Sequence, residues 1–125
     1  MKTIYPDFDR NQLIPVVIQD YMSLKVLMMA YMNKESYEKT LAEGDVTFYS
    51  RSRKKLWKKG ESSGHIQKVR KILFDCDEDC LLILVEQIGG ASCHEGYVSC
   101  FFRELKNNEL KVVENRVFNP DEVYG

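Results

Sequence analysis

The sequence has no long apolar segment, which excludes a membrane-spanning helix. Its longest apolar run, Val26 to Met32, covers seven residues, whereas a helix needs about 20 residues to cross a bilayer. The first residues, Met1 to Asp7, likewise lack the apolar stretch that characterises a secretory signal. We therefore expect a cytoplasmic protein with no membrane partner, in which cysteine thiols stay reduced.

Repeats, low-complexity tracts and linkers rich in proline or glycine are also missing. The 125 residues include only 3 prolines, and a chain of this length is expected to form one domain, over residues 1–125. The formal net charge is only −1. The charge is nevertheless segregated, because six basic residues lie between Arg51 and Lys59, and such a patch attracts phosphate whatever the overall balance.

The pattern of apolar residues predicts an α+β fold. Strands are expected at 13–18, 25–31, 46–50, 66–74, 80–87 and 97–105, with a short edge strand at 110–113. One helix is expected from Lys34 to Glu43, with Asn33 as its N-cap, Gly44 as its end, and Tyr37 and Leu41 on one face. One main helix with strands in meander order indicates a mostly antiparallel sheet.

Between residues 75 and 100 the chain carries an acidic cluster together with all four of its cysteines. Carboxylates suit a hard ion such as Mg²⁺, whereas thiolates select a softer ion such as Zn²⁺. Alternate residues of an extended backbone project to one side, so Asp75, Asp77 and Asp79 would converge there. Converging carboxylates repel one another unless a cation lies among them. The alternative is a solvated, metal-free turn at the end of a hairpin.

The four cysteines allow three interpretations. In a secreted protein they would form two disulfides, whereas in a reducing compartment clustered cysteines are typically metal ligands. Cys76, Cys93 and Cys100 would supply three thiolates and leave one zinc position open, as in a catalytic site. With Cys80 as a fourth ligand the site would be closed and structural. Because Cys80 begins an apolar strand, a role as a small core residue is favoured for it.

A second candidate site lies between residues 49 and 65. Arginine side chains and serine hydroxyls suit phosphate, and Trp57 lies within the basic run, where it can stack on a base. Part of the run, Lys54, Lys55 and Lys59, also fits a solvated basic face. These features alone suit a nucleic acid as well as a small phosphorylated molecule. A nucleic-acid-binding module, with zinc held by four cysteines and the 51–59 segment on the ligand, is therefore the alternative function. It leaves the acidic triad unexplained, since carboxylates repel a phosphate backbone.

Three strings, SRSRKKLWKKGESSGH, DCDEDCLLILVEQ and SCHEGYVSCFF, carry a resemblance to a known family. Together with LIPVVIQD and VLMMAYMNKESYEKT upstream, they resemble the phosphoribosyl-AMP cyclohydrolase family of histidine biosynthesis over Leu13 to Phe102. The resemblance implies a homodimeric enzyme that hydrolyses the N1–C6 bond of the purine in 1-(5-phosphoribosyl)-AMP. The implied partner is thus a phosphorylated nucleotide and not a nucleic acid.

The resemblance also implies two metals and a set of site residues. Asp75, Asp77 and Asp79 fall on magnesium ligands, and Cys76, Cys93 and Cys100 fall on zinc ligands shared across the dimer interface. We expect His94 to be the general base, with His65 as the competing candidate. The residues expected to contact the substrate are Ser50, Arg51, Ser52, Arg53, Trp57, Lys58, Ser63 and His65. In one departure from the family pattern, Glu95 stands where threonine is more usual.

Overall fold

The computed structural model describes residues 2–123. The elements in chain order are β1 (Ile14–Asp20), β2 (Val26–Met32), α1 (Lys34–Glu43), β3 (Thr47–Ser50), β4 (Lys55–Lys58), β5 (Gln67–Phe74), β6 (Leu81–Gln87), β7 (Arg103–Lys106), β8 (Glu109–Val112) and α2 (Pro120–Val123). Four strands form a sheet in the order β2-β1-β6-β5, while β3-β4 and β7-β8 form separate two-stranded sheets. The predicted meander order is wrong, because β1 and β6 pair in parallel and make the main sheet mixed.

The core lies on one face of the main sheet. Ile14, Val16 and Ile18 in β1 are fully buried, and they alternate with less buried neighbours. The adjacent β6 repeats this alternation with three fully buried residues, Leu81, Ile83 and Val85. Side chains of successive strand residues point to opposite faces, so the alternation defines the inner face. The burial of one such side chain contributes about 1.5–3 kcal/mol.

The helix α1 confirms the predicted boundaries. Asn33 Oδ1 accepts a 2.8 Å hydrogen bond from the Ser36 amide, and the Ser36 hydroxyl accepts one of 2.9 Å from the Asn33 amide. Gly44 ends the helix with a φ of 77°, a left-handed conformation that favours glycine. Tyr37 is buried as predicted, whereas Leu41 is 43% exposed, so the buried face runs through Ser36, Tyr37 and Thr40 instead.

The structure also differs from the sequence predictions in the segments 97–105, 75–80 and 55–58. The segment 97–105 is a strand only from Arg103 onward, because hydrogen bonds within a loop occupy the preceding residues. The segment 75–80 is a turn with Glu78 at a φ of 63°, not an extended strand. The basic run contains an additional strand, β4, in which Trp57 pairs with Phe48 of β3.

None of the helices among residues 2–123 combines the length and the apolar character needed to cross a membrane.

Candidate active site

A tight loop between β6 and β7 carries two of the cysteines. The Cys93 amide donates a 3.1 Å hydrogen bond to the Tyr97 carbonyl, and the Gly96 amide donates one of 3.0 Å to the Cys93 carbonyl. Gly96 has a φ of 96°, and a Cβ at this position would lie 2.2 Å from the Phe118 carbonyl oxygen. Any larger residue would therefore disturb the turn that follows Cys93.

The loop is fixed to strand β2 by two serine side chains that the sequence did not single out. The Ser92 hydroxyl donates a 3.0 Å hydrogen bond to the Leu27 carbonyl, and the Ser99 hydroxyl donates one of 2.7 Å to the Val26 carbonyl. Both serines are almost fully buried. Each of them precedes a cysteine, so the hydrogen bonds hold Cys93 and Cys100 against the same strand.

Cys93 and Cys100 form a pair of interacting thiols. Cys93 is buried, whereas Cys100 is exposed over much of its surface. Burial nevertheless raises the pKa of the Cys100 thiol, the charge of Cys93 raises it further, and the nearby Lys59 ammonium opposes this shift. Two soft donors whose charges interact, and which repel one another as thiolates, are chemically suited to hold a zinc ion.

The other two cysteines lie in a different part of the chain. Cys76 is exposed in the turn between β5 and β6, and Cys80 ends that turn. Among residues 2–123, no group of three ligand atoms close enough to hold a metal includes a cysteine. The structure therefore brings together Cys93 and Cys100 of the predicted zinc ligands but not Cys76. All four cysteines are free thiols, so the structure contains neither of the disulfides of the secreted alternative.

The turn at 75–80 gathers the three predicted aspartates. One ligand atom from each of Asp75, Asp77 and Asp79 lies within 4.8 Å of the others. The turn conformation brings them together, because Asp75 Oδ1 accepts hydrogen bonds of 3.0 and 3.1 Å from the Asp79 and Cys80 amides. The three aspartates therefore converge as predicted, but a turn brings them together and not the extended backbone that the prediction assumed. Three clustered carboxylates with exposed surface fit a hard divalent cation.

Hydrogen bonding within the cluster shifts the pKa values of two of these carboxylates in opposite directions. Hydrogen bonds with Asp77 and Asp75 raise the pKa of Asp79 to about 6. Desolvation acts against it, yet hydrogen bonds from the Asp79 side chain and from the Cys80 and Asp79 amides lower the pKa of Asp75. Below about pH 6 a proton on Asp79 partly neutralises the cluster, as a bound cation would.

We call the loop between β6 and β7 that carries Cys93 and Cys100 the thiol loop, and we call the β3-β4 pair the basic hairpin. A cavity of about 330 Å³ lies between the thiol loop and the basic hairpin. It contains one thiol of the pair, Cys100, together with His94 from the same loop. The opposite wall includes the predicted substrate residues Arg53, Trp57 and Ser63. Residues from three of the predicted groups therefore meet around one space: a metal ligand, a base and phosphate-binding candidates.

A second cavity, of about 580 Å³, adjoins the first and shares Arg53 and Trp57 with it. It also contains Ser50, Ser52 and Arg51, all from the predicted substrate set. The Arg51 guanidinium lies 4.0 Å from the centre of the Tyr31 ring, a cation–π contact that orients it. A larger cavity, of about 780 Å³, lies beyond Arg51 and Tyr49, but it contains neither a cysteine nor a histidine.

Two predicted substrate residues lie outside these cavities. Lys58 Nζ is 3.5 Å from an Asp45 carboxylate oxygen and 3.8 Å from one of Glu43, so carboxylates already neutralise it. The His65 ring packs at 5.0 Å against Phe118, and a Cβ on Gly89 would lie 2.3 Å from it. His94, in contrast, is exposed and lines the thiol cavity.

Lys59, one of the residues for which a solvated basic face was the alternative, is instead buried beside the candidate site. Lys59 is only 8% exposed, and it lines the cavity beside His94 and Cys100. Burial lowers the pKa of its ammonium, while the charges of Cys100 and Cys93 oppose that shift. The sequence did not predict β4, and it therefore could not show that Lys59, directly after this strand, is buried.

Comparisons with known proteins show which family the chain belongs to. The family model described as phosphoribosyl-AMP cyclohydrolase matches residues 28–102. The phosphoribosyl-AMP cyclohydrolase of Oleidesulfovibrio alaskensis is 53% identical over 120 residues, which cover 95% of this chain and 92% of that protein. The protein of the same name from Methanosarcina acetivorans is 59% identical over 114 residues, 91% of this chain and 92% of its own length. A third, from Nitratidesulfovibrio vulgaris, is 50% identical over 125 residues and 99% of both chains.

Proposed function

The chain belongs to the phosphoribosyl-AMP cyclohydrolase family, and we propose that it opens the purine ring of 1-(5-phosphoribosyl)-AMP in the cavity between the thiol loop and the basic hairpin. It is an enzyme of histidine biosynthesis. The observation that carries the proposal is the meeting of Cys100, His94, Arg53 and Trp57 around that one cavity. A metal ligand, a base, a cation for phosphate and an aromatic face are the groups that this reaction needs.

The substrate is held by its flat base and its two phosphates. The Trp57 ring lies 5.5 Å from the Phe48 ring, which supports it from the core side. A purine can stack on such a ring. Arg53, which lies between the two cavities, then contacts one phosphate, and Arg51 contacts the other in the adjoining cavity. Guanidinium groups form paired hydrogen bonds with phosphate oxygens.

Zinc is held by Cys93 and Cys100 of one subunit and Cys76 of the partner subunit. Within one chain the thiol pair lacks a third cysteine, whereas Cys76 is exposed on the turn at 75–80. The face of the main sheet beside this turn is apolar, with a cavity of about 430 Å³ that includes Val17, Val26, Leu73 and Leu82. Val26 and Leu73 are 41% and 43% exposed, and a second subunit would cover such a surface.

Bound zinc would supply Lewis acidity that makes the attacking water more acidic. His94 removes a proton from the attacking water, and the oxygen of that water forms a bond to C6 of the purine. The N1–C6 bond then breaks, and N1 takes up a proton as it leaves. His94 suits this role better than His65, because His94 lines the cavity while the His65 ring is packed against Phe118.

Magnesium is held by Asp75, Asp77 and Asp79. The support for this assignment is the separation of their ligand atoms, which lie within 4.8 Å of one another, and the raised pKa of Asp79, to about 6. Bound Mg²⁺ would relieve the repulsion among the carboxylates and offer positive charge to a substrate phosphate.

Ring opening of synthetic phosphoribosyl-AMP by the purified protein tests the proposal directly. We expect turnover that a zinc chelator abolishes and that added zinc restores. Each of Cys76→Ser, Cys93→Ser and Cys100→Ser should lose bound zinc and turnover together. Cys80→Ser is the matched control, since the Cys80 thiol contacts the carbonyl of the next residue, Leu81, and is only half-buried. Zinc loss in Cys80→Ser, with retention in Cys76→Ser, would contradict the ligand assignment.

A further inference from the structure

Lys59 is the one lysine among residues 2–123 that is buried. It ends the basic run, in which Arg51, Arg53, Lys54 and Lys55 are exposed and Lys58 is half-buried. Its amide donates a 3.1 Å hydrogen bond to the Val46 carbonyl, which fixes the backbone at the end of β4. Burying an ammonium costs free energy unless an anion or strong hydrogen-bond acceptors compensate for its lost hydration. The groups around Lys59 must therefore stabilise its charge.

The contacts of the ammonium point to the thiol loop. Lys59 Nζ donates a 2.5 Å hydrogen bond to the Ser92 carbonyl, which belongs to the peptide that enters Cys93. It also lies 5.5 Å from the centre of the Trp57 ring. An ammonium carries three N–H donors, and the side chain lines the cavity that contains Cys100 and His94.

No carboxylate within the described part of the chain forms an ion pair with Lys59. The adjacent Lys58 differs, because it pairs with Asp45 and Glu43. The groups beside the Lys59 ammonium that can become anionic are thiols, because Cys100 lines the same cavity and the Ser92 carbonyl that Lys59 contacts immediately precedes Cys93. A buried cation is therefore matched to two groups that become anionic only when they bind a metal or lose their protons.

We propose that Lys59 is a charge-compensating and positioning residue of the zinc site, an inference that rests on the proposed function. Three thiolates on Zn²⁺ leave one net negative charge, which a single ammonium cancels. By stabilising the thiolates, Lys59 strengthens zinc binding, and by drawing charge from sulfur it preserves the Lewis acidity of the metal. Its hydrogen bond to the Ser92 carbonyl holds the entry to Cys93 in place.

Zinc affinity and the spectrum of the cobalt-substituted protein test this role in Lys59→Met, which keeps the length and removes the charge. Loss of a group that supports a metal ligand weakens metal binding by about 10–100-fold, and we expect that loss in a chelator competition. The thiolate-to-cobalt charge-transfer band should move to longer wavelength, because uncompensated sulfur is more easily oxidised. Lys59→Arg, which keeps the charge, should restore most of the affinity. Lys55→Met, an exposed change in β4, the strand that immediately precedes Lys59, is the control.

Equal zinc affinity and equal cobalt spectra in Lys59→Met and Lys55→Met would overturn the inference, provided that the unchanged protein binds zinc. Failure of the unchanged protein to bind zinc would contradict the proposed function instead. Should Lys59→Met not fold, nitrogen-15 NMR of lysine side chains in the unchanged protein decides the matter. One ammonium signal protected from exchange should shift when zinc is added, and the absence of any such shift would overturn the inference.

Discussion

The backbone amide of Cys100 donates a 2.7 Å hydrogen bond to the carbonyl oxygen of Leu27. The same carbonyl accepts the hydrogen bond of the Ser92 hydroxyl. One peptide of β2 thus holds both ends of the loop that carries the thiol pair. Because the Leu27 side chain is fully buried in the core, the packing of the core fixes the spacing of Cys93 and Cys100.

Ser99→Ala should destabilise the protein and loosen this loop. The buried Ser99 hydroxyl donates to the Val26 carbonyl at 2.7 Å and accepts a 2.9 Å hydrogen bond from the Phe101 amide, so its removal deprives both groups of this partner. Such a loss costs about 1–3 kcal/mol, measurable as a change in the free energy of unfolding in urea. Ser62→Ala, in an exposed loop, is the control. A change no greater than that of the control would show that the loop does not depend on this anchor.

Arg53→Ala should raise KM more than Arg51→Ala does. Arg53 borders both cavities, whereas Arg51 borders the cavity without the thiol. Loss of a charge-assisted hydrogen bond worth about 1.5–3 kcal/mol raises KM by an order of magnitude or more. Steady-state kinetics of both variants and of Lys55→Ala provide the comparison. KM values unchanged in both arginine variants would contradict the assignment of the phosphate contacts.

His94→Ala should retain zinc and fold normally while losing turnover. A general base contributes about 10²–10⁴-fold to the rate, so kcat should fall within that range with a smaller change in KM. Zinc content and the circular dichroism spectrum check that the loop is intact. Near-normal kcat in this variant would remove His94 from the mechanism and direct attention to His65→Ala.

Asp79→Asn should stabilise the metal-free protein above pH 6. The folded state raises the pKa of Asp79 from 3.8 to about 6, so the folded protein holds this proton more tightly than the unfolded chain does. The resulting penalty is absent below pH 3.8, develops as the pH rises and is complete above about pH 6. Removing the charge relieves it, and the gain in melting temperature should therefore shrink as the pH falls from 7.5 toward 4.

Magnesium should stabilise the unchanged protein more than it stabilises Asp79→Asn. Added at pH 7.5, it should raise the melting temperature of the unchanged protein more than that of Asp79→Asn, because binding favours the folded state. Glu78→Gln removes a charge from the same turn without touching the triad, and it serves as the control. Equal responses of all three proteins to magnesium would show that the triad is not a cation site.

Local signals in the sequence predicted some elements well. Asn33, Ser36 and Gly44 define α1 through side-chain and backbone preferences that act within a few residues. The apolar run at 81–85 likewise predicted a buried strand. The parallel pairing of Val16 with Leu81 was not predictable, since it depends on contacts between residues far apart in the chain.

The site shows the same division between local and long-range information. The aspartates at 75, 77 and 79 were found from their spacing, although a turn gathers them. Lys59 was missed, because its burial depends on the pairing of β4 with β3 and on a carbonyl 33 residues away. The separation of Cys76 from the thiol pair also required the structure, since all three lie close together in sequence.

The central claim is that Cys76 of the partner subunit completes the zinc site, and mixing two inactive variants tests it most directly. Cys76→Ser and Cys93→Ser subunits would be unfolded together, refolded as a one-to-one mixture and assayed for ring opening. In a two-fold dimer, each mixed dimer would contain one intact site and one site that lacks both cysteines. We predict recovery of about one quarter of normal activity, because half of the dimers are mixed and each has one working site. Activity no higher than that of either variant alone would contradict the shared zinc site.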